Sequence, residues 1–391
     1  RKMRMESCTG YLFVHFTGEE KLGEQIYFAL SRDGLHWMDL NNGNPVLLSD
    51  IGEKGVRDPF ILRNPLNGRY VIIATDLRIE AGKGWKAAEE AGSRNLIVWE
   101  SEDLIHWDGP FSHEVGIPGA GCVWAPEAIW DEARQEFLVF WASKVREEGE
   151  AEARQRIYAS HTRDFHTYTK AEKYQEGMNH IIDTTILKAG EYYFRFSKDE
   201  TVKNIRLEKS KSLDKESFTE VQAPVLNALI GVEGPASFPF NDRKEWCLMV
   251  DRFAEGKGYL PLLSDDFGSG CFRIPEEQEY DLGRTKKRHG SVLNLTEEEY
   301  EQMQRLEEEI KERLAAAVKA GKLPAGPEGR EIAALHKQWI CCSWQDYTSK
   351  AHLGLAELYT ADERFKDYYD AKVPGCAQFL KEALKAHVKE L

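Results

Sequence analysis

Positive charge is what this sequence is short of: 52 Lys and Arg stand against 66 Asp and Glu, leaving a net charge of -14. A chain with a pI near 5.4 presents no basic footprint for nucleic acid or for an anionic membrane surface, and both are excluded as partners. Long apolar runs are missing too. None approaches the roughly 20 residues that span a bilayer, and no signal peptide precedes the first strand-like run, Tyr11 to Thr17. The seven cysteines (Cys8, Cys122, Cys247, Cys271, Cys341, Cys342 and Cys376) are odd in number and lack a ligand-like spacing. They read as reduced thiols of a cytoplasmic protein.

What is present suits a packed, two-domain molecule. At 391 residues the chain exceeds the size at which one core stops growing. Its 42% hydrophobic and 11% aromatic content excludes disorder, and its ten Trp lean toward flat ligands such as carbohydrate. From Gly10 to Leu295, short runs of Val, Ile, Phe, Tyr and Trp alternate with Gly, Asp and Asn turns, an all-β pattern. One phrase recurs at Ser31-Arg-Asp-Gly-Leu-His-Trp37, Ser101-Glu-Asp-Leu-Ile-His-Trp107, Ser160-His-Thr-Arg-Asp-Phe-His166, Ser210-Lys-Ser-Leu-Asp214 and Ser264-Asp-Asp-Phe267. Successive starts lie 70, 59, 50 and 54 residues apart, the scale of a four-stranded propeller blade. The spacing predicts a five-bladed β-propeller over residues 1–295. His289 to Leu295 should return to complete the blade begun by Tyr11 to Trp37.

After Thr296 the composition changes. Thr296-Glu-Glu-Glu-Tyr300 has a capping-box pattern and opens an acidic helix expected to run to about Ala320. Pro324 and Pro327 break it, and helical periodicity resumes over 330–342, 349–359 and 375–391. Residues 296–391 are therefore expected to form a small all-α bundle.

Between the recurring phrases stand four others: Arg57-Asp-Pro-Phe-Ile61, Trp124-Ala-Pro-Glu-Ala-Ile129, Ile182-Asp-Thr-Thr-Ile186 and Glu233-Gly-Pro-Ala-Ser-Phe238. Each places a carboxylate at the head of a short strand. Alone, Asp-Pro or Glu-Gly-Pro is turn chemistry; four in order at blade spacing are expected to converge at one mouth of a propeller channel. Inverting glycoside hydrolysis needs such a set. One carboxylic acid protonates the leaving oxygen and one carboxylate activates water, about 6.5–9.5 Å apart; a third raises the acid's pKa.

The four phrases, in this order over residues 10–295, resemble glycoside hydrolase family 43. The resemblance implies Asp58 as general base, Asp183 as the group that tunes pKa and orientation, and Glu233 as general acid. Two departures are present: Thr184 follows Asp183 where the family often has Pro, and Glu127 stands where Asp is usual. Glu127 is then expected to bind or scaffold. His15, Phe60, Trp124 and Arg288 are further candidates for contact with a sugar. His289 is the candidate ligand of the axial Ca²⁺ that the resemblance implies, a structural ion, with no cofactor required for the reaction.

Trp339 to Leu391, with His352-Leu-Gly-Leu-Ala-Glu-Leu-Tyr359, Ala361-Asp-Glu-Arg-Phe365 and Tyr368-Tyr-Asp370, resembles the TipAS antibiotic-sensing domain. Cys341 and Cys342 lie near the region where such sensors capture ligands. No basic winged helix precedes the bundle, which argues against a transcription factor. It is expected to pack on the propeller, as a wall of the mouth or as the contact of a homo-oligomer. These readings together point to an exo-acting enzyme that takes terminal α-L-arabinofuranosyl or β-D-xylosyl units from oligosaccharides. The alternative is a carbohydrate- or small-molecule-binding protein with a sensing helical domain, which loss of Asp58 or Glu233 would favour; both are present. A phosphorylase-like propeller would need a cluster of Arg and His for phosphate, and no compact motif for it stands in the sequence.

Overall fold

The computed structural model describes residues 7–343 and 347–391, without the side chains at 306, 307, 310, 338, 339, 341, 342 and 343. The side chains of Cys341, Cys342 and Trp339 thus lie outside what is described. The chain opens with β1 (Cys8–Phe16), β2 (Tyr27–Ser31) and β3 (Trp37–Asp39). Two four-stranded sheets follow: β4 (Val56–Arg63), β5 (Tyr70–Asp76), β6 (Asn95–Ser101) and β7 (Trp107–Glu114), then β8 (Trp124–Asp131), β9 (Glu136–Val145), β10 (Arg154–Thr162) and β11 (Glu172–Gln175). The next sheet is β12 (Ile181–Ala189), β13 (Tyr192–Asp199), β14 (Asn204–Ser210) and β15 (Thr219–Val221). In the following one, β16 (Glu233–Pro239), β17 (Trp246–Asp251) and β18 (Tyr259–Ser264) pair, and the fourth strand is reduced to a bridge between Leu263 and Arg273. Finally β19 (Arg288–Thr296) pairs antiparallel with β1, Leu12 opposite Leu293, and completes the sheet β19-β1-β2-β3. The expected five blades and their closure are both present, and joining first and last strands removes the free edges at the seam.

The recurring phrase is the turn from third to outer strand. Asp33 Oδ1 accepts the amides of Leu35 and His36, and Asp103 Oδ1 those of Ile105 and His106. Asp164 repeats this with His166 and Thr167, so the third copy begins at Thr162, two residues later than the phrase at Ser160 suggested. Asx turns fix their own backbone, which is why the phrase persists where the rest of a blade varies.

Two short helices are inserts within the propeller, α1 (Trp85–Glu90) between β5 and β6 and α2 (Pro224–Asn227) between β15 and β16, and α3 to α7 follow β19. The helical region is α3 (Glu297–Lys319), α4 (Pro327–Ser343), α5 (Ser349–Ala361), α6 (Glu363–Asp370) and α7 (Cys376–His387). The capping box forms as the sequence predicts: Thr296 Oγ1 accepts the Glu299 amide at 3.3 Å, and Glu299 Oε1 accepts that of Thr296 at 2.8 Å. Tyr300 and Met303 join the propeller cluster of Leu12, Leu30, Ile72 and Trp99. Tyr300 fits because Gly10 beneath it has no Cβ; one built there would lie 2.4 Å from the ring. Leu314, Ile332, Tyr359, Leu380 and Leu384 form a separate core within the helices. The segment Ala361–Phe365 holds the boundary between α5 and α6, with Asp362 as the C-cap of the first and the N-cap of the second. Among the described residues no helix is long and apolar enough to cross a membrane.

Candidate active site

Four of the five inner strands carry the same defect. In β4, β8, β12 and β16 the pairing with the next strand slips at one place, between Arg57 and Phe60, Trp124 and Glu127, Ile182 and Thr185, and Glu233 and Ala236. At each slip one residue is left-handed: Asp58 (φ 55°), Ala125 (φ 50°), Asp183 (φ 51°) and Gly234 (φ 56°). A bulge re-aims the side chains around it, and non-glycine residues in this region carry strain of order 1–2 kcal/mol. The four sequence phrases are these four bulges. Two of the acids sit on the left-handed residue, Glu233 one before it and Glu127 two after it.

The acids meet around His289, at the head of β19. Its Nδ1 lies 3.1 Å from Asp58 Oδ1 and 3.7 Å from Asp183 Oδ2, and its Nε2 lies 4.0 Å from Glu127 Oε2. Burial disfavours the imidazolium, but Asp183, Asp58 and Glu127 together hold its pKa well above the ordinary value. Gly234 is needed at its bulge twice over, for its φ and because a Cβ would come 2.6 Å from the His289 ring. The axial calcium does not fit these residues. Calcium takes six to eight oxygen ligands, whereas this ring spends Nδ1 on Asp58 and is held as a cation; among the described residues no group of three or more His, Cys, Asp or Glu is arranged to hold a metal.

The carboxyl groups differ in charge tendency. Burial pushes Asp58 up, but His289, Arg57 and the Thr75 hydroxyl, which donates to Oδ2 at 2.7 Å, bring it below its ordinary value. Burial raises Asp183; His289 opposes, while the charges of Glu233 and Asp58 add to the rise and leave it at about 7. Its Oδ2 accepts the Gly234 amide at 3.0 Å, which ties it to the strand that carries Glu233. Burial raises Glu127 as well, and the pull of His289 does not cancel it. Glu233 goes the other way. Burial is outweighed by Lys198 Nζ at 2.8 Å from Oε1 and Arg288 Nη2 at 3.3 Å from Oε2, so its pKa is lowered in the substrate-free site. The expectation that the third carboxylate raises Glu233 is thus corrected: the neighbouring cations outweigh it, and the upward shift falls on Asp183.

The other predicted residues divide. Arg288 is in the cluster, donating to Asp251 Oδ2 at 2.8 Å and lying against Glu19 and Glu233. Trp124 heads β8, half-buried, its ring edge-on to Trp85 at 6.1 Å. Phe60 is half-buried and packs against the cluster of Leu62, Ile73 and Val98. His15 is a correction: its ring is fully buried, stacked on Tyr27 and edge-on to Phe13, with Nδ1 on the Phe16 carbonyl. Strand alternation puts it on the same face of β1 as Phe13, which packs against Tyr259 of the neighbouring blade; it is fully buried there and does not reach a sugar, and burial lowers its pKa to about 3.

Sequence reasoning missed Arg57, Thr75, Lys198, Asp251, Glu19 and Trp85. Thr75, Lys198 and Asp251 are the register partners, on the second strand, of Arg57, Ile182 and Glu233, the residues just before three of the bulges. That pairing is their only signal, and it needs the register. Arg57, buried between Phe16 and Trp85, donates to Glu19 at 2.9 Å and Glu24 at 3.0 Å.

Five blades around a buried axial cluster of acids define a propeller of glycosidase type. The chain belongs to the family described as "Probable glycosyl hydrolase domain", related to glycoside hydrolase family 43, whose model matches residues 6–301. The model of the TipAS antibiotic-recognition domain matches residues 277–387. An alpha-L-arabinofuranosidase of Bifidobacterium longum is 33% identical over 309 residues, 69% of this chain and 28% of that protein. The HTH-type transcriptional activator TipA of Streptomyces coelicolor is 36% identical over 97 residues, 25% of this chain and 38% of that protein. The chain therefore spans well under half the length of these relatives. Among solved structures, the catalytic domain of a Coprinopsis cinerea GH62 alpha-L-arabinofuranosidase matches with TM-score 0.44 and 15% identity, over 61% of this chain and 74% of that one. An exo-beta-1,3-galactanase from Phanerochaete chrysosporium, solved with galactose, matches with TM-score 0.46 and 15% identity, over 66% of this chain and 57% of that one.

Proposed function

We propose that the chain is an inverting glycoside hydrolase that removes terminal α-L-arabinofuranosyl or β-D-xylosyl units from oligosaccharides. Residues 1–295 form the glycosidase unit in this reading, and 296–391 a helical unit packed on it. The observation that carries it is the divergence of charge within one cluster: Asp58 held ionised, and Asp183 pushed up to about 7 beside Glu233. Carboxyl groups whose environments drive their pKa values apart are what acid and base roles require. The 33% identity to an alpha-L-arabinofuranosidase favours the arabinofuranosyl unit.

Asp58, oriented by Thr75 and His289, takes a proton from the attacking water as that water adds to the anomeric carbon. Glu233 gives a proton to the departing oxygen on the other side of the ring. In the empty site Glu233 is ionised, so it must first acquire that proton. Sugar hydroxyls that take the Lys198 or Arg288 hydrogen bonds free it to rise, and the coupled Asp183 then yields its proton as Glu233 gains one. Glu127 and His289 brace the base side.

The test is hydrolysis of nitrophenyl α-L-arabinofuranoside and β-D-xyloside by wild type and by Glu233→Gln. Wild-type turnover should fall by roughly 10²–10⁴ in the variant, and proton NMR should show the first-formed sugar with inverted anomeric configuration. Retention, or turnover untouched by the substitution, overturns the assignment. Tight oligosaccharide binding with no turnover would make the chain a binding protein instead.

A further inference from the structure

We propose that a cavity on the face opposite the acids is a second binding site, and that its ligand is a neutral saccharide. β12 and β16 begin at the acids, and strands alternate in direction. The ends of β12, β14 and β18 and the starts of β13 and β17 therefore share the far face, and the cavity opens among them. It holds about 490 Å³, inside the range of about 300–1,000 Å³ typical of small-molecule sites.

The gap follows from the incomplete blade. Where the other sheets carry a fourth strand, the chain after β18 curls back: Asp266 Oδ1 accepts the Gly268 amide at 2.8 Å, and pairing resumes only at the bridge of Leu263 with Arg273. Phe267, in that turn, packs on Phe194 and Phe196 with ring centroids 5.8 and 5.1 Å away, and the buried Phe194 and Phe267 floor the cavity.

Four groups around that floor are left over by the fold. Among the described residues no hydrogen bond or ion pair ends on the Trp246 indole N–H, the Tyr192 hydroxyl, the Lys209 ammonium or the Asp265 carboxylate, and all four residues line the cavity. Asp265 stands where the first two copies of the turn have Arg32 and Glu102, and it takes no part in the turn that Asp266 makes. Trp246 is half-buried and set against Phe267, 5.5 Å away at 51°. A fixed indole beside unused donors and an acceptor matches a sugar, whose C–H face is apolar and whose hydroxyls both give and accept hydrogen bonds.

Other ligand classes fit worse. An anion meets Glu191, Asp265 and Asp266 against the one ammonium of Lys209. A cation finds the Tyr192 ring taken, by Lys209 at 5.1 Å and Lys211 at 5.7 Å from its centroid. A wholly apolar molecule strips water from these charges and returns no hydrogen bond. The neutral polyol is the class left.

The test is calorimetric titration of the full chain carrying Glu233→Gln, which spares the ligand from hydrolysis, with arabinotriose and xylotriose. At least one should show a binding component that weakens at least about ten-fold in Trp246→Ala, weakens several-fold in Asp265→Ala and survives in Trp246→Tyr. Asp265 is exposed, so its replacement keeps the test open should Trp246→Ala fail to fold. With Glu233 intact, Trp246→Ala and Asp265→Ala should each keep kcat/KM on nitrophenyl glycosides within about two-fold, because distant sites act independently. No binding of either sugar, binding that Asp265→Ala leaves untouched, or turnover lost along with binding overturns the second site. If the intact chain turns over neither glycoside while the Trp246-dependent component is present, the hydrolase reading falls and the second site stands.

Discussion

At the scale of single residues, the contact that sets the chemistry is Lys198 Nζ against Glu233 Oε1 at 2.8 Å. A buried cation beside a buried carboxylate favours ionisation, so Lys198 opposes the protonation that an acid requires. Replacing it by Met removes that opposition. The alkaline limb of kcat/KM, which reports the protonated Asp183 and Glu233 pair and should fall near 7 in the wild type, is then expected at higher pH. Turnover at pH 7 should fall roughly ten-fold as Glu233 loses its orientation. A limb that stays in place, or moves to lower pH, contradicts the role given to Lys198. No motif announces this lysine: it lies in the apolar run Tyr192-Tyr-Phe-Arg-Phe-Ser-Lys198, and only its pairing with Ile182 brings it beside the acid. Asp58 and Glu233 were legible because a proline or glycine stands beside the carboxylate at the bulge, and Asp183 because its phrase falls between theirs at blade spacing. Lys198 and Asp251 were not, because register is a property of two strands and the sequence shows one at a time.

At the scale of elements, the bulge is the repeating device, and its four versions differ in how the left-handed residue is tolerated. Gly234 adopts it freely, whereas Ala125 pays for a Cβ there while its methyl is buried and carries no catalytic group. Relief of the left-handed strain is worth about 1–2 kcal/mol, offset by roughly 0.5–1 kcal/mol of extra freedom that glycine gives the unfolded chain. Ala125→Gly should therefore be neutral to about 1.5 kcal/mol stabilising in urea denaturation; a loss above about 1 kcal/mol would mean the methyl packs better than the strain costs. Gly234→Ala should do the opposite, driving its Cβ into the His289 ring and lowering activity along with stability. The turns were readable for a related reason, since an Asx turn is made by residues within four positions of one another. The third copy misled by two residues because Ser160 and Thr162 are both hydroxyl residues, and only the amides show that Thr162 holds the turn.

At the scale of the whole molecule, the question is how the helical region is held. Its first helix is anchored deeply. Tyr300 and Met303 sit in the propeller core, and Glu299 receives Arg63 at 2.6 Å and the Tyr70 hydroxyl. With 23 residues α3 reaches about 34 Å from the end of β19. It starts at the face opposite the acids, because β19 begins beside His289 and runs away from it. The return contact is made by α6, whose Phe365 carbonyl accepts Asn42 Nδ2 at 3.3 Å and whose Arg364 carbonyl accepts Arg284 Nη1 at 3.3 Å. Arg284 also donates to Asn42 Oδ1 at 3.1 Å, so the three groups form one small polar clasp. A few long hydrogen bonds hold less firmly than a core cluster, and local opening follows the weakest set of contacts. The double variant Asn42→Ala, Arg284→Ala should therefore speed amide exchange over residues 363–370 and 39–44 and leave β19 and α3 protected. Faster exchange throughout α3 would mean the clasp, rather than the Tyr300 and Met303 contact, is what keeps the helices on the propeller. The clasp also adjoins Tyr27, where the connection from β1 to β2 ends, and that connection brings Glu19 to Arg57 and Arg288 and Glu24 to Arg57. If the opening stays local, KM for oligosaccharide should move by less than about two-fold. A larger rise in KM at constant kcat would trace a path from α6 through residues 17–26 to the guanidinium groups beside Glu233.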